Sequence, residues 1–408
     1  MSEPVLPPLR WIKAALRSTT ETLARELVSP SDAAPEWNAH EWRIAQAVAS
    51  IHGISPLLAA RLPWAGPDDW QEFLSEQRDH TERRHARIVT LLERLDAAAK
   101  GCGLCAVALK GAALHAAGIY RPGERPMSDI DLLVRPRDRT RASRMLEGLG
   151  YEMSYEIWKH VVFVATSGRA QARIGEHADN PIKIELHTAI AEQLPFVRCD
   201  ISDLVLPRNE RPGLHYYRST AALMAHVLLH AAGALALRGS RALQLEDIAR
   251  LALRTSEAGW HALLALRESD RLWWAYPPLV LVARYYEGRI PKFVLDATRS
   301  ACGWPLRSSC ERFSLADVSL SDPHIHAFPG IEWSRTIGEA MRYMRARLLP
   351  DAGVLAMRKA YGRYQSLGAD APWVRQTQLE RTVRWIAGQR LRVDTMACVR
   401  AAFAFDQS

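Results

Sequence analysis

The stretch Met127–Pro136, MSDIDLLVRP, constrains the fold of this chain more than any other. Its apolar residues predict a buried β-strand, yet Asp129 and Asp131 stand inside the apolar run. Side chains at positions i and i+2 of a strand point to the same face, so the two carboxylates are expected side by side at the edge of an apolar core. Like charges that close repel, and their burial costs free energy unless something pairs with them. The stretch therefore predicts a strand edge that holds a cation.

A third carboxylate follows in Ile182–His187, IKIELH, where apolar and polar residues alternate. The alternation predicts a strand that turns Lys183, Glu185 and His187 to one face. Beside the first strand, Glu185 would join the two aspartates. Three oxygen ligands suit hard divalent cations, Mg²⁺ above all, and two such ions can clamp the attacking and leaving oxygens of a phosphoryl or nucleotidyl transfer. The three carboxylates are therefore the candidate metal ligands and catalytic residues.

A phosphate-binding turn is predicted upstream, in Leu109–Leu114, LKGAAL. The predicted order is a strand, then Lys-Gly, then a helix. In this layout Gly111 lets the backbone approach a ligand closely, and the start of the helix presents free N–H groups. Lys110 adds a point charge for a triphosphate. Arg125, four residues before the paired aspartates, and Ser128 are the other candidate phosphate-binding residues.

Each of these patterns is common when it stands alone. In the structural alternative, Asp129 is a capping or loop residue, Asp131 pairs with Arg125 or Lys183, and Glu185 faces solvent. The combination of a phosphate turn, paired aspartates about 18 residues later and a further strand carboxylate favours the chemical interpretation.

Together these residues resemble the uncharacterised nucleotidyltransferase family, which belongs to the DNA polymerase β-like superfamily. The resemblance is dense over about residues 105–190 and weaker through the helices that carry His226, His230 and Asp247. The matching residues are Leu109–Leu114, Tyr120, Arg125, Asp129–Val134, Gly150, Tyr151 and Glu185–His187.

The resemblance implies an α+β fold, in which a small mixed sheet with helices forms a polymerase β-like nucleotidyltransferase core flanked by N- and C-terminal helical regions. It also implies transfer of a nucleotidyl group from a nucleoside triphosphate with two Mg²⁺ ions, ATP being the expected donor. Asp129 and Asp131 would be the paired metal ligands. Glu185 would bind the catalytic metal and accept the proton of the acceptor hydroxyl, and Gly111 would match the superfamily's glycine turn.

The chain departs from the superfamily pattern at two points. Members usually carry Gly-Ser where this chain has Lys110 and Gly111, so the hydroxyl that would hold a phosphate is missing. The third carboxylate is Glu185 rather than the commoner Asp, and its longer side chain changes the metal geometry. These departures keep open an inactive or repurposed site.

Two histidines, His226 and His230, stand at i and i+4 of one apolar helix. The sequence HVLLH lacks the glutamate of the zinc-binding motif H-E-x-x-H. We therefore favour core histidines that bond Asp247 or the backbone. They remain, with Lys183 and His187, candidate substrate-orienting residues.

Four regions are predicted along the 408 residues. They are an N-terminal helical region (1–100), the nucleotidyltransferase core (101–200), a helical region packed on that core (201–314) and a basic C-terminal helical region (315–408). Helices are predicted at 8–28, 41–61, 69–100, 112–117, 136–149, 219–237, 243–254, 259–268, 278–284, 334–349, 352–365 and 374–398, strands at 105–109, 128–134, 151–155, 160–165 and 182–187, and a linker at 315–333.

The net charge of +8 is concentrated near the C-terminus. Residues 335–408 contain 13 basic and 6 acidic side chains, which is nearly the whole excess. A basic region can bind nucleic acid, an anionic membrane or an acidic protein. Because the arginines are scattered rather than clustered, nucleic-acid binding stays open and is not favoured.

The cysteines and the apolar stretches indicate a soluble cytoplasmic protein. A zinc ribbon needs a second C-x-x-C or a His pair at matching spacing after Cys102 and Cys105, and neither appears, so reduced core thiols are predicted. No signal peptide is apparent. The most apolar stretch, 221–237, contains two histidines and falls short of the ~20 residues that a membrane span needs.

The sequence therefore predicts a bacterial-type, Mg²⁺-dependent nucleotidyltransferase with a nucleoside triphosphate donor. Its acceptor is unidentified and can be a small molecule, a peptide or a protein. The first alternative is a catalytically silent nucleotide-binding or partner-binding scaffold of a biosynthetic operon, which the missing serine favours. The second is an RNA-binding protein that uses its basic C-terminal helices.

Overall fold

Four helices precede the sheet in this computed structural model, which describes residues 5–167, 174–207, 211–266, 272–355 and 377–404. They are α1 (Leu9–Val28), α2 (Ala39–His52), α3 (Ser55–Arg61) and α4 (Asp68–Gly101). The helix predicted over 41–61 is two helices, because Gly53 ends α2 in a left-handed conformation, with φ of 66°, that favours glycine.

A mixed sheet of six strands follows α4. The strands are β1 (Cys105–Ala108), β2 (Asp129–Leu133), β3 (Tyr151–Glu156), β4 (His160–Ala165), β5 (Lys183–His187) and β8 (Gly213–His215), in the order β3-β4-β5-β2-β1-β8. β2 runs parallel to β5 and β1 parallel to β8, while the other pairs are antiparallel. Between the strands lie α5 (Lys110–Ala116), α6 (Arg139–Gly148), a separate hairpin of β6 (Ala191–Gln193) and β7 (Arg198–Asp200), and α7 (Ser202–Val205).

The two faces of β2 and β5 differ in polarity, as their alternation predicts. Ile130, Leu132, Ile184 and Leu186 belong to an apolar cluster with residues of α4 and α6. The opposite face carries the polar residues of both strands and is turned toward α8 (Thr220–Ala236) and α9 (Ala242–Arg254). One buried face anchors the sheet, so the register that brings the polar side chains together is strongly specified.

Helices make up most of the remaining described chain. They are α10 (Glu257–Ala265), α11 (Tyr276–Tyr285), α12 (Lys292–Ala301), α13 (Trp304–Cys310), α14 (Leu315–Val318), α15 (Ile337–Leu348), α16 (Gln378–Ile386) and α17 (Val393–Ala404). The predicted linker 315–333 contains α14 and a short 3₁₀ turn at Ile331–Trp333. The helix predicted at 352–365 lies mostly outside the described residues. The one predicted at 374–398 divides near Gly388, whose φ is 63°.

Some elements carry too little pattern to be read from the sequence. β6, β7 and β8 have three residues each, which is too short for a visible alternation. The predicted α+β architecture, a small mixed sheet with flanking helices, is nevertheless confirmed.

A large apolar cluster extends from α1 to α17 and includes residues of α2, α8, α9 and α11. The N-terminal and C-terminal helices therefore share one core, and the boundaries of the four predicted regions stay a prediction.

All six cysteines are free thiols, and Cys102 is exposed rather than in the core. None of the described helices is both long enough and apolar enough to cross a membrane.

Candidate active site

A cavity of about 480 Å³ lies between the polar face of the sheet and helices α8 and α9. Most of the predicted site residues line it: Lys110, Gly111, Arg125, Ser128, Asp129, Asp131, Glu185, His187, His226 and His230. Lys183 does not; it lies beside Asp129 in the strand register. The tertiary structure thus brings into one cavity residues from β2, β5, α5, α8 and the loop before β2.

The three carboxylates converge because of the parallel register of β2 and β5. Asp131 lies directly opposite Glu185, and Asp129 lies two residues earlier on the same face of β2. Burial, and then the charges of Asp131 and Glu185, raise the pKa of Asp129 to about 7. Among the described residues, none forms a hydrogen bond or an ion pair with the Asp129 side chain. Asp129 is therefore a half-buried carboxylate with no direct partner, and the charges of Lys110 and Arg241 only partly oppose the rise of its pKa.

Asp131 differs from its neighbour because two cationic or donor groups contact it. Its Oδ1 is 2.9 Å from Nζ of Lys110 and 2.9 Å from Nε2 of His187. Burial alone would raise the pKa of Asp131, but Lys110 and His187 hold it well below its usual range. The two aspartates of the D-I-D strand thus have opposite protonation tendencies, with the proton favoured on Asp129.

Glu185 faces two imidazoles across the sheet. Its Oε2 is 3.1 Å from Nδ1 of His160 and 3.6 Å from Nε2 of His187. Nδ1 of His160 is buried without a hydrogen-bond partner, since its orientation toward Glu185 does not make a hydrogen bond. Burial lowers the pKa of His160 to about 4, so this imidazole is neutral at pH 7.

The predicted phosphate turn has an unexpected backbone. Lys110, not Gly111, adopts the left-handed conformation, with φ of 43°. This position corresponds to the glycine of the superfamily's Gly-Ser pair, and only glycine adopts that conformation freely. Gly111 is required for a different reason, because a Cβ there would lie 2.5 Å from Sδ of Met127 and 2.6 Å from Nη1 of Arg125.

Arg125 is held by a carboxylate rather than left free for a phosphate. Its Nε and Nη2 donate to Oδ1 and Oδ2 of Asp247, both at 2.8 Å, and the Tyr120 hydroxyl donates to Oδ1 at 2.7 Å. Burial would lower the pKa of Arg125, but Asp247 raises it above its usual value. The arginine therefore ties the loop before β2 to α9.

His226 and His230 have partners other than the predicted Asp247. Nδ1 of His226 contacts the Tyr217 hydroxyl, and Nδ1 of His230 is 3.4 Å from Oε1 of Glu192. Glu192, on β6, also contacts Lys159. Burial favours the neutral acid, yet His230 and Lys159 lower the pKa of Glu192 to about 2. Lys159, Glu192 and His230 all line the same cavity as the D-I-D strand.

Sequence reasoning missed two residues with clear positions. Arg84 of α4 is buried and donates to the carbonyl oxygens of Met127, Ser128 and Asn180, at 2.8, 2.9 and 2.6 Å, so it positions the start of β2. Arg241 is exposed at the cavity and pairs with no carboxylate in the described part of the chain. No local pattern distinguishes either arginine, since the partners of Arg84 and the cavity that Arg241 lines are formed by residues distant in the chain.

The cavity residues fit a divalent cation on two observations. The half-buried Asp129 carboxylate forms no hydrogen bond or ion pair within the described ranges, and Nδ1 of His160 is a buried ring nitrogen with no hydrogen-bond partner. Carboxylates and neutral imidazoles are the ligands that divalent metals take in proteins. The residues that would hold an ion are Asp129, Asp131, Glu185, His160 and His187.

A mixed sheet that gathers three carboxylates in one cavity has the features of a nucleotidyltransferase core. The family model described as uncharacterised nucleotidyltransferase matches residues 38–286, which is more than half of the chain. The chain therefore belongs to the uncharacterised nucleotidyltransferase family. No curated protein and no solved structure matches it. Membership in the family supports nucleotidyl transfer as the general activity.

Proposed function

We propose that the chain transfers a nucleotidyl group from a nucleoside triphosphate, with ATP the expected donor, to a hydroxyl acceptor, and that two Mg²⁺ ions assist the reaction. The observation that carries the proposal is the placement of Asp129, Asp131 and Glu185 on one face of adjacent parallel strands at a cavity wall. A like-charge cluster of this kind destabilises an empty site, and a cation site accounts for it.

The three carboxylates have different proposed roles in metal binding and proton transfer. Asp129 and Asp131 would hold the metal pair from β2, and Glu185 would add the third carboxylate from β5. When bound, the metal ions neutralise phosphate charge and polarise the attacking and leaving oxygens. The acceptor oxygen forms a bond to the α-phosphorus, the bond to pyrophosphate breaks, and the hydroxyl proton passes to the Glu185 carboxylate.

The phosphate contacts are proposed to come mainly from Arg241. Lys110 and Arg125 were expected to bind phosphate, but each already pairs with a buried carboxylate. Arg241 lines the same cavity with its side chain exposed and, within the described residues, forms no ion pair. An arginine fork suits phosphate oxygens. Lys110 and Ser128 are retained as secondary candidates because they also line the cavity.

The remaining cavity residues would orient the acceptor. His187 bonds Asp131, while His226 and His230 project from α8 into the same space. The neutral imidazole of His226, whose pKa burial holds well below its usual range, can bond a hydroxyl. Lys183, which does not line the cavity, is given no part in acceptor binding.

Calorimetric binding of a nucleoside triphosphate panel, with and without Mg²⁺, tests the proposal first. We expect Mg²⁺-dependent binding by the unchanged chain and loss of that dependence in Asp131→Asn. Asp179→Asn is the matched control, because this aspartate is 75% exposed and outside the cavity. A nucleoside triphosphate affinity that changes neither with Mg²⁺ nor with Asp131→Asn would contradict the proposal.

A labelling experiment then identifies the transferred group. Transfer of an α-phosphate label to an acceptor shows nucleotidyl transfer, whereas transfer of a γ-phosphate label shows phosphoryl transfer. Both reactions use the same metal clamp, so only the label separates them.

One observation favours the catalytically silent scaffold as the second candidate function. The Lys110 ammonium already lies 2.9 Å from Asp131 and supplies a cation without any metal. A chain that binds nucleotide in a Lys110-dependent and Mg²⁺-independent way, with no turnover, would have this function.

The RNA-binding alternative gains less support, since Arg347 and Arg392 of the basic region donate to carbonyl oxygens of the chain itself.

A further inference from the structure

Two histidines and a glutamate form a compact group at one end of the cavity. In the described part of the chain, His160, Glu185 and His187 are the three metal-ligand side chains whose ligand atoms all lie within 4.8 Å of one another. Oε2 of Glu185 is 3.1 Å from Nδ1 of His160 and 3.6 Å from Nε2 of His187. The group contains nitrogen ligands, which the three-carboxylate pattern lacks.

The two distances from Glu185 suit a single ion, and the ligand atoms of His160 and His187 lie within 4.8 Å of each other. Nitrogen and oxygen ligands lie about 2.0–2.2 Å from a Zn²⁺-sized ion, which places neighbouring ligands about 2.8–3.6 Å apart in tetrahedral or octahedral geometry. Both Glu185 distances fall in that range. Oδ1 of Asp131, 2.9 Å from Nε2 of His187, offers a fourth ligand atom.

The supporting strands hold the three ligands rigidly. His160 lies directly opposite His187 in the antiparallel pairing of β4 and β5, and Val162 lies opposite Glu185. The two imidazoles are in edge-to-face contact, with ring centroids 4.8 Å apart. Ligands on paired strands vary less in position than ligands on loops, so little reorganisation is needed to bind an ion.

The group also contains an unsatisfied polar atom. Nδ1 of His160 is buried and has no hydrogen-bond partner, despite its 3.1 Å approach to Glu185. Most buried polar groups in proteins are paired, and an unpaired one points to strain, function or an absent ion. A metal ion between His160 and Glu185 would satisfy both atoms at once.

We propose that His160, Glu185 and His187 form a position for a divalent transition-metal ion, such as Mn²⁺, Co²⁺ or Zn²⁺, in preference to Mg²⁺. Imidazole nitrogen suits these ions, whereas Mg²⁺ requires oxygen ligands and retains water. The inference rests on the proposed active site and refines it. The position near Asp129 and Asp131 is suited to Mg²⁺, and the position at Glu185 selects a softer ion.

Metal titration of the full chain after chelator treatment tests the inference without any substrate. Calorimetry with Co²⁺ and with Mg²⁺ measures both affinities, and we expect Co²⁺ to bind at least about tenfold more tightly. In His160→Gln, the Co²⁺ affinity should fall by about tenfold or more, while the Mg²⁺ affinity should change little. Equal affinities for the two ions, or a Co²⁺ affinity that His160→Gln leaves unchanged, would overturn the inference.

His115→Gln is the matched control variant. Nδ1 of His115 is also buried without a partner, and burial also lowers its pKa to about 4. His115 instead lines a separate cavity of about 630 Å³ between α4, α5 and β8. A loss of Co²⁺ binding in both histidine variants would contradict a site at His160.

A spectroscopic measurement needs no variant and covers the case in which His160→Gln does not fold. Pulsed electron paramagnetic resonance of the Mn²⁺-loaded chain detects directly bound imidazole nitrogen, which we expect to observe. Its absence would refute the inference. The label-transfer assay in Mg²⁺ tests the proposed function independently. If the label is transferred but no bound nitrogen is detected, only the transition-metal inference is rejected. If bound nitrogen is detected but no metal ion supports label transfer, only the proposed function is rejected.

Discussion

Arg125 and Asp247 form a two-point ion pair, with both nitrogen–oxygen distances at 2.8 Å, across 122 positions of the chain. The pair joins the loop before β2 to α9, and its side chains are only 11% and 8% exposed. Tyr120 completes the arrangement through its hydroxyl. The edge of the D-I-D strand is therefore fastened to the helical layer that covers the cavity.

Removal of Asp247 should destabilise the chain strongly. Asp247→Ala leaves a buried guanidinium without its partner, which typically costs about 3–5 kcal/mol. The free energy of unfolding in urea measures the loss. Asp296→Ala is the control, because the Lys292–Asp296 pair is exposed, and it should cost less than about 0.5 kcal/mol. Similar effects of both substitutions would contradict the structural role assigned to Asp247.

Lys110 should compete with metal ions for Asp131. Lys110→Met removes an ammonium that lies 2.9 Å from the carboxylate, so Mg²⁺ affinity without nucleotide should rise by about tenfold or more. Calorimetry with Mg²⁺ measures the change. Lys100→Met, which affects an exposed pair with Asp96 outside this cavity, should leave the affinity unchanged. A weaker Mg²⁺ affinity in Lys110→Met would show that the lysine supports the metal site.

Gly111 should tolerate no larger side chain. The Cβ of Gly111→Ala would lie 2.5 Å from Sδ of Met127, and such overpacking typically costs about 1–3 kcal/mol. Met127→Ala in the same chain should recover part of the loss, as unfolding in urea can measure. Gly101→Ala is the control, since its Cβ would meet nothing within 4 Å. If the losses of unfolding free energy in Gly111→Ala and Met127→Ala simply add in the double variant, contact with Met127 is not the cause of the destabilisation.

His52 should make stability depend on pH. It is buried, its Nδ1 accepts from the Ala242 N–H at 2.9 Å, and its Nε2 lies 2.8 Å from the Ser321 hydroxyl. Burial, with a smaller effect of Arg241, lowers its pKa from 6.5 to about 3. Between these values the unfolded chain binds the additional proton, so the stabilisation is complete above about pH 6.5 and is lost as the pH falls toward 3.

The His52 contribution should change by about 1.4 kcal/mol per pH unit in that interval. Urea unfolding at several pH values, compared between the unchanged chain and His52→Gln, isolates it. His261→Gln, whose side chain is 63% exposed, should leave the pH dependence unchanged. Identical pH slopes for the unchanged chain and His52→Gln would contradict the prediction.

The sequence predicted the architecture of the site better than its contacts. The alternation in DIDLL and KIELH placed the polar residues of both strands on one face, and the structure confirms this arrangement. The helices with strong apolar spacing, such as α1 and α4, also lie close to their predicted positions. The partners of Arg125, His226 and His230 could not be predicted, since each lies on an element far away in the chain.

What the sequence determined by itself was the local order: which segments form strands and helices, and which face of each strand is polar. Period-2 and helical patterns encode these properties within a few residues, so they need no tertiary information. The tertiary structure alone decided that Lys110 neutralises Asp131, that His160 meets Glu185, and that Asp129 remains without a partner among the described residues. Such pairings depend on strand register and on distances of a few ångströms, which strand order and the packing of α8 and α9 establish.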